Sequence, residues 1–296
     1  MYREQLSNFM KEGEKTLFVP KNGGLNAYVK TMLPEIGIDK VKDLEIVQAR
    51  GEDIPKRVYE YVEREKQAYG LTGDDLFDEW KLRERNVLVS VLNTYDWYDE
   101  NAEYKRPALC LLNSTGKIRD IPKKAKIAVN AKYELTSKNY LKSKLKNLEF
   151  EVNSYNGDTE KTVSDRTNDC CVDIVYGGST KKENNLNVAG IARFSDIVLI
   201  GENPNYFGAV MSEDFRQVEQ RRENPRQGSY TSKLLSDRKK RRDKLISEAA
   251  ELFAAIEGKG NLVSELSDLL YAVNVVMSGE RISPRYVANL MQKRLK

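Results

Sequence analysis

Two pairs of carboxylates stand three residues apart late in the chain, Glu248 with Glu251 and Glu265 with Asp268. On a helix a three-residue step keeps two side chains on one face. Two such pairs facing each other across antiparallel helices would offer oxygen ligands to Mg2+. A solvated acidic face has the same spacing, but here both pairs sit beside an apolar stripe (Leu245, Ala249, Leu252 and Ile256, then Leu262, Leu266, Leu269 and Val273) and not opposite it. A second chemical stretch is DIVYGGSTKKENNL, Asp173 to Leu186. Gly177 and Gly178 let the backbone curl so that successive N–H groups point at one spot, and Ser179 and Thr180 add hydroxyls, a set that suits a phosphate. Asp169 and Asp173, just upstream, could accept hydrogen bonds from sugar hydroxyls, so the stretch reads as a site for a phosphorylated sugar. An ordinary Gly-Gly turn after a strand would look the same. Lys21 to Leu25, KNGGL, lies between a strand and a helix, where backbone donors make an anion site, although a plain βα turn is the simpler reading.

Those residues need elements to hold them. Short apolar runs at 16–20, 44–48, 87–92, 107–112, 126–129, 148–153 and 170–175 read as strands alternating with amphipathic helices, the pattern of an α/β layered fold. Asp53-Ile54-Pro55 marks a helix start, with Asp53 as N-cap and Pro55 in the first turn. The polar, aromatic run NTYDWYDENAEYKR, Asn93 to Arg106, reads as a surface loop. From about Ser212 strand signals vanish and helical spacing takes over. Gly258-Lys259-Gly260 separates two helices, and Pro284 opens a last one with Ser283 as cap. RKKRRDK, Arg238 to Lys244, is a solvated surface or a phosphate-facing patch; with no aromatic stacking platform beside it, nucleic acid is not expected as a partner.

Composition narrows the chemistry. Histidine is absent from all 296 residues, which excludes His-based triads and His-ligated metals and leaves carboxylates, lysines, arginines and backbone dipoles. Three cysteines, two of them adjacent, cannot form a disulfide framework, and no apolar run approaches membrane-spanning length, so a cytoplasmic protein without a membrane partner is expected. The net charge of +4 permits polyanionic small molecules without requiring nucleic acid.

DIVYGGSTKKENNL resembles the phosphoribosyl-pyrophosphate loop of ATP phosphoribosyltransferases, the first enzymes of histidine biosynthesis. Asp173, Val175, Gly178, Thr180, Asn184 and Leu186 sit at the family's spacing, while Gly177 and Asn185 depart from it. PKNGGL is similar to the family's PKGRL with one extra residue and no arginine. Asp53-Ile54-Pro55, Gly70 to Asp75 (GLTGDD), Lys132-Tyr133 with Leu135-Thr136, and Gly157 to Glu160 follow in the family's order, so the resemblance covers roughly 16–201. It implies a two-lobed α/β fold of the periplasmic-binding-protein kind, with 1–103 plus 190–211 as the first lobe and 104–189 as the second. It implies further that Thr72 and Gly73 lie at the cleft near the incoming nucleotide and that the Gly177–Thr180 loop holds the 5-phosphate. Asp169 and Asp173 would lie near the ribose, and Lys21 would help to neutralise the departing pyrophosphate.

Residues 212–296 resemble phosphoribosyl-ATP pyrophosphohydrolase, an all-α enzyme acting second in the same pathway. The resemblance is carried by GSYTSKLL (228–235), EAAEL and ELSDLLY, with Lys244 at the family's lysine; Ser247 replaces a usual glutamate and Ala272 a usual histidine. It implies Mg2+ held by Glu248, Glu251, Glu265 and Asp268. Together the resemblances imply a fused enzyme that transfers phosphoribosyl from phosphoribosyl pyrophosphate to N1 of ATP, then hydrolyses phosphoribosyl-ATP to phosphoribosyl-AMP and pyrophosphate. The same two reactions on another nucleotide, or a non-catalytic nucleotide-binding sensor, stay open. A homo-oligomer is expected, and a separate regulatory subunit is possible because the short transferase form commonly needs one.

Overall fold

The computed structural model describes residues 4–85 and 87–294. In chain order the first unit runs β1 (Lys15–Pro20), α1 (Gly23–Glu35), β2 (Leu44–Ala49), α2 (Ile54–Val62), β3 (Ala68–Gly73), α3 (Asp74–Glu84), β4 (Val89–Tyr95), β5 (Ala108–Asn113), β6 (Lys124–Asn130), α4 (Glu134–Lys144), β7 (Glu149–Tyr155), α5 (Thr159–Ser164), β8 (Cys170–Val175), α6 (Ser179–Glu183), β9 (Asn187–Phe194) and β10 (Ile197–Glu202). A first sheet has the order β2-β1-β3-β10-β4 and a second β7-β6-β8-β5-β9. Each has three parallel strands followed by an antiparallel one: β10 runs against β3 and β4, and β5 runs against β8 and β9. Parallel strands covered on both faces read as continuous apolar runs, and β1 and β3 are buried at every position.

The chain crosses to the second sheet between Tyr95 and Ala108 and returns between Phe194 and Ile197. The return lies later than residue 190 because β9 stays paired with β5 as far as Phe194 opposite Ala108. Leu17, Met32, Leu71 and Leu199 fill one face of the first sheet, and Phe18, Ile54, Val58 and Ile200 the other. Leu109, Leu111, Ile127 and Val172 pack on one face of the second, Cys110, Ala128 and Cys171 on the other. All three cysteines are free and buried. Asp53 departs from expectation: it lies in helical backbone within a short 3-10 turn and its side chain makes no cap, so Pro55 alone marks the start of α2.

A second unit begins after Pro204. It comprises α7 (Tyr206–Glu223), α8 (Tyr230–Ser236), α9 (Arg238–Ile256), α10 (Leu262–Gly279) and α11 (Pro284–Gln292). The boundary precedes the expected residue 212 because α7 runs through that position unbroken. Side-chain caps set the other starts: Ser229 for α8, Asp237 for α9, Asn261 for α10 and Ser283 for α11. α10 packs against α7 and α9, around Val218, Leu234 and Val275. The fold is a two-lobed α/β unit followed by an all-α unit, the class expected. Among the described residues, no helix is long and apolar enough to cross a membrane.

Candidate active sites

The parallel strands β1, β2, β6 and β7 end at one cavity of about 810 Å3, lined by Asn22 and Arg50 from one lobe and by Asn130, Lys132 and Asn156 from the other. Crevices outside the carboxyl ends of strands are where open α/β sheets bind ligands. Arg50, Arg83 and Lys132 supply positive charge to the cavity, against Glu52, Asp53 and Glu79. Lys132 Nζ meets Glu52 Oε1 at 3.1 Å, from lobe to lobe. Glu79, buried on α3, accepts hydrogen bonds from the first turn of α4 at Leu135 N (2.9 Å), Thr136 N (2.8 Å) and Thr136 Oγ1 (2.9 Å). Arg83 donates to Glu79 and, at 2.7 Å, to the carbonyl of Ala131.

The 177–180 loop leaves β8 and turns into α6. Gly178 takes a left-handed φ of 73° that only glycine adopts freely, and the hydroxyl-bearing Ser179 and Thr180 are exposed. Tyr176 lays its ring against Gly24, in the KNGGL turn of the other lobe. Lys21 is exposed beside Asn22, with its own N–H continuing the β1–β2 ladder to Ala49 O at 2.8 Å.

Other expected contacts are spent within the protein. Asp169 is exposed at the far end of β8, accepting from Lys126 N at 2.7 Å; a six-residue strand, about 20 Å long, separates it from the loop, so it cannot serve the same sugar. Asp173 is buried and accepts from Thr159 Oγ1, from Asn130 Nδ2 at 3.1 and 3.4 Å and from Ile174 N at 2.7 Å, four contacts for about four lone-pair sites. Burial raises its pKa against the pull of those hydrogen bonds. Thr72 is fully buried and donates to Gly51 O at 2.9 Å, and Gly73 lies buried under the Asp75 carboxylate, so neither faces the cleft. Both lie within β3, whose side chains are all covered.

In the helical unit, carboxylate oxygens of Glu248, Glu251 and Glu265 lie within 4.8 Å of one another. Glu248, Glu251 and Asp268 line a cavity of about 450 Å3 with Tyr230, Lys244 and Ser247. Glu248 is 3% exposed and ion-paired with Lys244, whose ammonium also stands 5.8 Å over the Tyr230 ring. The hydrogen bond to Glu248, with the charges of Glu248 and Asp268 behind it, raises the Lys244 pKa. Hard oxygen donors converging from two helices fit Mg2+, whose bonds of about 2.1 Å put opposite ligands roughly 4.2 Å apart. Ser247 Oγ donates to Glu251 Oε1 at 2.8 Å, taking up an oxygen of the cluster. The basic run nearby is not all surface: Arg241 is buried, donating to Leu234 O, Leu235 O and Glu280.

Three features escaped sequence reading. Glu79 caps α4 across 56 positions, Lys181 pairs with Glu103 across 78, and no local pattern announces contacts of that range. Tyr230 lies in GSYTSKLL, so the motif carried it, but its place under Lys244 depends on how α8 meets α9.

Residues 50–213 match the ATP phosphoribosyltransferase family and residues 213–294 the phosphoribosyl-ATP pyrophosphohydrolase family. An ATP phosphoribosyltransferase of Brachyspira hyodysenteriae is 31% identical over 135 residues, 45% of this chain and 57% of that protein. A histidine biosynthesis bifunctional protein HisIE of Pyrococcus furiosus is 34% identical over 93 residues, 31% of this chain and 44% of that protein. A phosphoribosyl-ATP pyrophosphatase of Methanococcoides burtonii is 33% identical over 91 residues, 29% of this chain and 92% of that protein. The chain thus spans about half the length of the first two relatives and nearly all of the third.

Proposed function

This chain belongs to the ATP phosphoribosyltransferase family and, through its C-terminal unit, to the phosphoribosyl-ATP pyrophosphohydrolase family, and from that premise we propose that it carries out two successive steps of histidine biosynthesis. In the first, the Gly177–Thr180 loop seats the 5-phosphate of phosphoribosyl pyrophosphate, and ATP lies in the interlobe cleft with its phosphates toward Arg50 and Lys132. N1 of the adenine forms a bond to the anomeric carbon as the bond to pyrophosphate breaks. N1 has no proton to lose, so positioning and charge stabilisation by Arg50, Lys132 and Lys21 supply the acceleration. Asp173 acts indirectly, holding Asn130 at the cleft wall.

In the second step the helical unit adds one water across the α–β phosphate link of phosphoribosyl-ATP, a P–O bond to water forming as the anhydride bond breaks, to leave phosphoribosyl-AMP and pyrophosphate. Glu248, Glu251 and Glu265, with Asp268 beside them, would hold Mg2+. That ion supplies Lewis-acid stabilisation for charge developing on the phosphate oxygens. Lys244, released from Glu248, faces the substrate phosphates. Hydrolysis of the first product draws the reversible transfer forward. The observation that carries the reading is the convergence of Glu248, Glu251 and Glu265 from two helices, beside a cavity that Lys244 and Asp268 line, in a chain whose preceding unit carries the glycine loop.

The test is mass spectrometry of the protein with ATP, phosphoribosyl pyrophosphate and Mg2+. Phosphoribosyl-AMP should be the end product, and Glu251→Ala should leave phosphoribosyl-ATP accumulating. If no adduct forms, even with other nucleotides offered and a regulatory subunit of the short transferase form added, the transferase reading falls; if Glu251→Ala still yields phosphoribosyl-AMP, the assignment of the carboxylates falls. Self-association belongs to the same reading. Phe253, Val263, Tyr286, Leu290 and Met291 leave an exposed apolar surface on α9, α10 and α11, which a second copy would cover. A monomer mass by light scattering would remove that part.

A further inference from the structure

The segment that carries the chain from β4 to β5 is folded onto the glycine loop. Glu103 N donates to Tyr176 O at 2.7 Å, the Tyr176 hydroxyl donates to Asp99, and Asn101 N donates to Asp99 Oδ1 at 2.8 Å. The Glu103 side chain then enters the loop itself. One carboxylate oxygen stands against the α-carbon of Gly178, where any β-carbon would collide with it, and the other pairs with Lys181 Nζ at 2.6 Å. The side chains of Lys181 and Glu103 are 12% and 27% exposed, less than those of most ion pairs of the unit.

A carboxylate is a planar oxyanion, and a phosphate presents the same kind of oxygen to the same donors. We propose that Glu103 is an internal stand-in for the substrate phosphate: it occupies the loop through Lys181 and the space beside Gly178, and a phosphorylated sugar binds only by displacing it. Lys181, freed from Glu103, then becomes the counter-ion of the incoming phosphate. Gly178 serves both states, since it leaves room for an oxygen where another residue would place carbon. The inference rests on the loop being a phosphate site. The polar run between the lobes, which reads locally as a surface loop, acts as a tethered competitor that sets the apparent affinity for the sugar phosphate.

The experiment is titration calorimetry of the full chain with ribose 5-phosphate, comparing the natural protein with Glu103→Gln and Glu103→Ala. Both variants should bind about tenfold tighter, the factor expected when the competing contact is made about nine-tenths of the time. Lys181→Gln should weaken binding both alone and combined with Glu103→Gln. The urea midpoint followed by tryptophan fluorescence, which reports the first unit through Trp80 and Trp97, controls for folding of each variant. Unchanged or weaker binding in both Glu103 variants, with the natural protein binding normally, overturns the stand-in and leaves the loop assignment standing. No binding by any of the proteins overturns the loop assignment, and the stand-in with it.

Discussion

Glu79 ties the two lobes together, and its removal should be among the most damaging single changes in the first unit. The residue is 3% exposed, and its carboxylate serves three donors from the first turn of α4 as well as Arg83. Hydrogen bonds to a charged group contribute about 1.5–3 kcal/mol each, without simple additivity. The Arg83 share is small because that side chain is 45% exposed and screened by solvent. What remains is the loss of a buried anion by donors that keep their need for one, so Glu79→Ala should cost about 3–5 kcal/mol. Both tryptophans of the chain, Trp80 and Trp97, belong to the first unit, so tryptophan fluorescence in urea follows that unit without interference from the helical one. At a slope of about 2–3 kcal/mol per molar urea, the midpoint should fall by roughly 1–2.5 M. A double-mutant cycle with Thr136→Val should then show coupling of about 1 kcal/mol or more. A midpoint shift under roughly 0.3 M, which corresponds to under about 1 kcal/mol, would refute the claim that Glu79 holds α4.

Two further outcomes follow from groups already described. Asp75 is buried beside Ser195, and burial first, then the neighbouring Asp74 charge, pushes its pKa up from 3.8 to about 6. An acid whose folded pKa is raised binds more protons folded than unfolded between those values, so its contribution is full below pH 3.8 and is lost as pH rises through about 6. The ionised group therefore costs roughly 3 kcal/mol above pH 6, and Asp75→Asn should raise the urea midpoint at pH 7.5 while the two proteins converge toward pH 4; a constant offset across that range would sink the assignment. Ser247→Glu should add a ligand beside Glu251, lowering the Mg2+ concentration needed for half-maximal hydrolysis of phosphoribosyl-ATP; an unchanged Mg2+ requirement would mean that position 247 does not face the ion.

What could be read from the residues, and what could not, divides by the range of the interaction. The strand before Gly177, the turn at Gly258 to Gly260 and the Ser283 cap are local events, decided within a few residues, and all stand where expected. The carboxylate pairs were also legible, because a three-residue step on a helix fixes a common face, and the packing of α10 on α9 then brings three of the four together. Thr72, Gly73 and Asp169 stand elsewhere than expected, for a different reason. Proximity in sequence to a functional turn does not say which face of a strand a residue occupies or at which end it lies, and these three are covered by neighbours or displaced by a strand length. Asp173 was expected beside the sugar, but its partners Thr159 and Asn130 come from other elements, and no local pattern shows that they take up its oxygens. Glu103 lay in a run read as surface loop because nothing local marks a side chain that will rest on a glycine beyond β8.

The position of β10 has a consequence for the order of events as the chain is made. The second sheet uses only 108–194, a single stretch that can complete its pairing once it has emerged from the ribosome. The first sheet begins at Lys15, yet its fourth position is filled by residues 197–202, between β3 and β4. Until those six residues arrive, β3 and β4 have no strand to join them, and the edges they expose are the kind that pair with other chains. The half of the cleft that is synthesised first is therefore finished last, closed by a strand that must return over an already assembled lobe.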